Sequence, residues 1–187
     1  MDLPWGDERT RKFVTNVGLI TSDGPNGPDI MACEWTHHIS YTPGLIAIVV
    51  KKTAATNANI KKTKEFGVNL TSTEQMVMSS IAGGSTGKDI DKIAALKELG
   101  FSFYNAKKIK TVMVEGAALN IECTLVNEIE LHTHTMFIGE VVETHLSGKA
   151  SLAFHGGKYW KLSEQLPKPS DKERDHMTKV IEKHTKK

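Results

Sequence analysis

Glu130, His132 and His134 alternate in "ELHTHTMFIGEV", residues 130–141, just ahead of an apolar run. On an extended chain that spacing puts all three side chains on one face. Such a face can bind a metal, handle protons beside a redox group, or serve as plain surface. A metal needs a fourth ligand and supporting partners, which the set lacks, so no metal is expected. A second chemistry lies in "VKKTAAT", residues 50–56, where a strand hands over to a helix. Lys51, Lys52, Thr53 and Thr56 would join the free N–H groups and partial positive charge of a helix start, a setting suited to a phosphate dianion. The same residues also read as an ordinary helix capped by Thr53 or Thr56 beside solvated lysines. In "MACEWTHHIS" the small residues Ala32 and Cys33 precede Trp35. They let a flat ligand approach the backbone, unless Trp35 is core and His37 and His38 simply face outward. "AGGSTGKD" departs from P-loop spacing, with Ala82 where a glycine is needed and Asp89 where a hydroxyl should follow Lys88, and so excludes that kind of nucleotide hydrolysis.

The elements that must position these residues follow from periodicity. "FVTNVGLITS" (13–22) reads as a strand closed by the turn formers "DGPNGPD". "IMACEWTHHIS" (30–40) is extended, "YTPG" turns the chain, and "LIAIVV" (45–50) suits a strand buried on both sides. A helix over 56–65 and a strand "FGVNL" (66–70) come next. A helix over 71–82 follows, with capping-box spacing between Ser72 and Gln75. After "GGSTG", "KDIDKIAALKELG" is a helix stopped at Gly100. The second half is β-rich: 111–131 and 133–146 are long alternating segments, "GGKYWKL" (156–162) is a short strand, and "PKPSD" leads to a tail helix. Short strands with helices between them predict a small β-barrel with helical insertions in residues 1–166, and a linker and basic tail helix in 167–187.

Composition sets the outer bounds. At 187 residues with 39% hydrophobic and 25% charged content, the chain reads as one globular domain. The net charge of +2 arises in the tail, since residues 171–187 hold six Lys/Arg and four Asp/Glu and the rest is electroneutral. A body without a basic excess argues against nucleic-acid binding. Cys33 and Cys123 stand far apart, which excludes a disulfide framework or zinc ribbon. With no apolar run near ~18 residues and no signal-like leader, no membrane partner and a cytoplasmic location are expected.

Read in order, "NVGLITS", "IMACEWTHHISYTPGLIAIVVKKTAATNANIKKTKEFGVNL", "GGSTGKDIDKI", "AALNIECTLVNEIELHTHTMFIGEVV" and "FHGGKYWKL" resemble the flavin reductase-like, FMN-binding split-barrel family, flavoredoxins included. The resemblance spans roughly residues 13–162. It implies a Greek-key split β-barrel that dimerises, binds FMN near the subunit interface, and moves electrons from NAD(P)H through FMN to free flavin, ferric iron or another acceptor. The flavoredoxin-like alternative keeps FMN bound and exchanges electrons with a redox protein. By matching position, the resemblance puts Ala32, Cys33, Trp35 and Thr36 along the isoalloxazine. Lys51, Lys52, Thr53 and Thr56 fall at the phosphate, Asn69 and Leu70 close the pocket, and Ser85 and Lys88 reach in from the glycine loop. His134, in an "H-x-x-F-I-G" strand, would orient the nicotinamide or acceptor, with Tyr159 as an aromatic at the same mouth. The chain departs from the family at His37, His38 and Ala82.

Overall fold

A computed structural model describes residues 1–186 of the chain. Its framework is one antiparallel sheet of seven strands. β1 (Gly18–Ser22), β2 (Asp29–Cys33), β3 (Thr36–Tyr41), β4 (Gly44–Lys51), β5 (Glu65–Leu70), β6 (Leu119–Glu130) and β7 (His134–Leu146) lie in the order β2-β1-β5-β6-β7-β4-β3. Helix α1 (Ala55–Thr63) carries the chain from β4 back to β5 beside β1, which gives the order its Greek-key character. The protein is thus mostly β with helical insertions, as the alternation of short apolar segments and turn formers implies.

The sheet rolls until its two end strands approach each other at one corner. Asn16, just ahead of β1, donates from Nδ2 to the Thr36 carbonyl of β3 at 2.7 Å, while the Val49 N–H reaches the Trp35 carbonyl at 3.0 Å and extends the β3–β4 pairing. Gly18 faces Thr36 so closely that a Cβ there would collide with the threonine side chain. Elsewhere β2 and β3 are not paired, so the barrel is split. Two bulges in the β6–β7 pairing, at Ile138/Gly139 and Val141/Glu143, supply the curvature.

Period-two alternation sorts the apolar side chains. Ile20, Ile46, Ile48, Val50, Phe66, Val68, Ile121, Cys123 and Phe137 point inward and form the barrel core with Ile60 of α1. Leu19 and Ile30 point the other way, into a second core with α2 (Met76–Gly84) and α3 (Lys92–Glu98). Strand β4 is apolar throughout, but only Ile46, Ile48 and Val50 belong to the barrel core, while Leu45 and Val49 are half-buried.

Several local expectations are corrected. The first strand breaks at Val17, leaving Val14–Asn16 to pair with Ala153–His155. Helix α1 begins at Ala55 with Ala54 as its N-cap, not Thr53 or Thr56, because the Thr56 hydroxyl is drawn inward to Asp29. Helix α2 starts at Met76 with Gln75 as N-cap. Ser72 instead bridges Ser151, and its N–H donates to Gln75 Oε1 at 3.1 Å. Helix α3 starts at Lys92, later than the expected Lys88, behind the N-cap Asp91, whose side chain accepts the Ala94 N–H, and the expected stop holds at Gly100, φ +88°. Residues 171–183 form α4 with the capping box Ser170/Glu173, and all of its residues are exposed. Among the described residues no helix is long and apolar enough to cross a membrane.

Candidate functional site

The opening triad does not form. Glu130 ends β6, His134 begins β7, and Leu131–Thr133 turn the chain between them, with the Leu131 N–H bonded to the His134 carbonyl at 2.9 Å. A hairpin turn replaces the single extended run that the alternation suggested. Glu130 is occupied by two lysines, Lys52 at 2.9 Å and Lys61. Those two ammonium groups pull its carboxyl down to about 2, mainly through the bond from Lys61. His132 falls on the turn.

A cleft of about 330 Å³ opens where β2, the start of α1 and the glycine-rich end of α2 meet, within the range of small-molecule sites. Of the residues singled out from sequence, Ala32, Lys51, Thr53, Thr56 and Ser85 line it. Lys51 and Thr53 are exposed, and α1 starts there without a side-chain cap or an acidic residue in its first turn. The backbone N–H groups of that turn are therefore available to an anion, with the positive end of the helix behind them. Ser85 donates its hydroxyl to the Ile81 carbonyl at 2.9 Å and keeps acceptor capacity toward the cleft.

Next to the cleft, His134 sits opposite Lys51 on the β4–β7 ladder, and its ring packs at 4.9 Å against the half-exposed ring of Trp35. Burial, with a smaller contribution from Lys51, pushes the His134 pKa below its ordinary value and favours neutral imidazole. Its Nδ1 lies 2.7 Å from Thr133 Oγ1.

Other expected residues are spent inside the fold. Cys33 is a barrel-core thiol whose pKa is raised by burial. Thr36 is buried and donates to the Cys33 carbonyl at 3.0 Å. Asn69 donates to the Leu19 carbonyl at 2.8 Å and accepts from Val114 N–H and Asn120 Nδ2, so its amide serves the packing of 112–120 on the barrel. Leu70 packs on the barrel core. Lys52 faces Glu130, Lys88 is exposed beyond the cleft lining, and Tyr159 donates its hydroxyl to Ser79 at 3.1 Å.

Two charged lining residues were not anticipated. Asp29 and Lys92 form an ion pair at 2.9 Å with side chains 3% and 2% exposed. The available signal was position: Lys92 lies one turn before the buried Leu96 and beside the buried Ile93, where a lysine requires a partner.

The site and the rolled sheet together identify the class, an antiparallel split barrel with a cleft on its wall at an uncapped helix start. The chain belongs to the flavin reductase like domain family, whose model matches residues 10–163. An uncharacterized protein of Archaeoglobus fulgidus is 30% identical over 128 residues, covering 68% of this chain and 70% of that one. The flavin reductase PheA2 superposes with a TM-score of 0.73 at 27% identity, over 88% of this chain and all of that one. A flavoredoxin from Methanosarcina acetivorans superposes with a TM-score of 0.78 at 18% identity, over 95% of this chain and all of that one, a likeness of fold.

Proposed function

We propose that the chain is an NAD(P)H-dependent oxidoreductase that binds FMN in this cleft and passes electrons to free flavin, ferric iron or another acceptor. The observation that carries this reading is the uncapped start of α1, opening into the cleft between Lys51 and Thr53. Unsatisfied N–H groups beside an exposed ammonium and hydroxyl fit a phosphate dianion, and family membership supports a flavin as its bearer.

When bound, the flavin supplies the hydride and electron chemistry, and the protein supplies binding and orientation. Lys51, Thr53 and the first turn of α1 hold the phosphate. Ala32, with no side chain beyond Cβ, leaves room along β2 for a flat ring. Trp35 and His134 form a rim on which a nicotinamide or acceptor can rest. With Nδ1 hydrogen-bonded to the Thr133 hydroxyl, the neutral His134 orients a partner through its other ring nitrogen and is not required as a base.

We further read the chain as a cytoplasmic homodimer. Ile39 and Tyr41 on β3, Val126 and Ile129 on β6, and Val142 on β7 are exposed apolar side chains spread over neighbouring strands, which supports a protein-facing wall. Residues 167–187 are then an appendage whose removal leaves the barrel intact.

A visible spectrum of the purified protein, with FMN titration, tests the central reading. Flavin bands or saturable uptake are expected, and their joint absence refutes it. Stopped-flow bleaching by NADH or NADPH is expected; bleaching only by a reduced ferredoxin would make the protein an electron carrier instead.

A further inference from the structure

The floor of the cleft holds more charge than the fold needs. Asp29 at the start of β2 and Lys92 at the start of α3 both line it and are both buried. Thr56 donates its hydroxyl to Asp29 Oδ2 at 2.6 Å, and Lys92 Nζ lies 2.9 Å from Oδ1 and 3.5 Å from the Ala82 carbonyl. The glycine loop is built around the same carboxylate, since a Cβ on Gly87 would collide with Oδ1. Asp29 therefore ties together β2, α1, α3 and the loop. Burying two charges is costly, and well-packed apolar residues of similar volume often serve a fold as well or better. Stability alone does not explain the pair. An ammonium carries three N–H groups, of which one reaches the Ala82 carbonyl, while Asp29 Oδ1 is paired to Lys92 by charge and receives no hydrogen bond.

We propose that Lys92, held in place by Asp29, is a specificity-determining residue of the cleft, supplying the buried positive charge that selects a ligand bearing a phosphate monoester over the same ligand without it. The identity of that ligand as FMN rests on the function proposed above; the anion preference does not. Lys51 is exposed and its charge is screened by water and salt, whereas Lys92 acts from a drier position where the same charge is felt more strongly. Asp29 keeps the ammonium fixed, so little rotamer freedom remains to be lost when an anion arrives. Removing Lys92 alone would leave a buried carboxylate facing the anion. The informative variant neutralises both members.

The experiment compares FMN and riboflavin affinities by flavin fluorescence in the wild type, in Lys51→Ala, and in the double variant Asp29→Asn with Lys92→Met. It also measures the thermal shift given by inorganic phosphate. In the double variant FMN affinity is expected to fall at least about tenfold, the scale of one charged hydrogen bond, while riboflavin affinity stays within about threefold. The phosphate-induced shift should disappear. In Lys51→Ala a preference for FMN over riboflavin should remain and should persist in about 0.5 M salt. Unchanged FMN affinity in the double variant, or an equal loss of both flavins, overturns the proposal. If the double variant does not fold, loss of all FMN preference in Lys51→Ala overturns it equally. A wild type that binds neither flavin refutes the FMN reading, and phosphate then decides: a wild-type shift abolished in the double variant sustains the role of Lys92, and no wild-type shift removes it.

Discussion

Two buried carboxylates are held in contrasting ways. Glu122 on β6 receives the backbone N–H groups of Lys107, Lys108 and Ile109 at 2.8, 2.6 and 3.3 Å. Asp29 on β2 receives one hydroxyl and one ammonium. Fixed amides satisfy Glu122 without a cation, and in doing so fasten the 107–110 turn to the barrel. Asp29 instead holds a cation that borders an open cleft. Buried negative charge thus serves architecture where rigid donors surround it, and on the role proposed for Lys92 it serves a ligand where its counter-ion lines a cleft.

The largest expected effect falls on the architectural member. Glu122→Ala leaves the buried Ile109 amide and the part-buried amides of Lys107 and Lys108 without an acceptor. At ~1–3 kcal/mol for the buried group and less for the other two, a loss of about 3–4 kcal/mol should appear in urea unfolding. FMN affinity, measured on protein that remains folded, should be unchanged; a large drop would erase the distinction between the two sites. Next comes the mouth of the cleft. Lys51→Ala with Thr53→Ala should weaken FMN by about 2–4 kcal/mol in a fluorescence titration with little change in Tm, since both side chains are exposed. Unaltered affinity would move the phosphate elsewhere. Smaller still is His134→Ala, expected to keep full FMN content and to slow reduction by NAD(P)H in stopped flow. Equal rates would remove its orienting role.

The smallest effect concerns the rim. With the Glu130 carboxyl drawn down to about 2 by Lys61 and Lys52, its ionised form is favoured in the folded state. That contribution is fully present above the ordinary carboxylate value of 4.5 and fades as pH falls toward about 2. Melting curves of wild type and Glu130→Gln should differ slightly above that window, converge within it, and differ less in high salt. A gap that persists at the acid end would show that packing, not charge, ties β6 to α1.

Much of this was legible in the chain. Alternation within 111–131 and 133–146 and the glycine stop at 100 are local signals, and local signals write secondary structure. That Lys51 and Thr53 meet at the start of α1 was legible for the same reason, since both adjoin that helix in the chain. The Asp29–Lys92 pair was not, because 62 positions separate partners whose meeting depends on how α3 folds back over β2. Asn69 misled for the opposite reason: "FGVNL" marks a strand correctly, but which polar groups a side chain serves is fixed by neighbours such as Val114 and Asn120 that only tertiary packing brings near. The Glu130–His134 alternation failed because a two-residue period looks alike in one strand and across a tight hairpin.

The corner where Gly18 meets Thr36 has a consequence of its own. A cylinder that joins its own margin through one side-chain bond and a close contact, and not along a full ladder, has a hem, and a hem is where fabric parts first under tension. Trp35 is stitched into that hem. Any loosening of the wall would therefore be felt first at the indole and the imidazole leaning on it, long before it disturbed the tightly woven interior around Phe66 and Phe137.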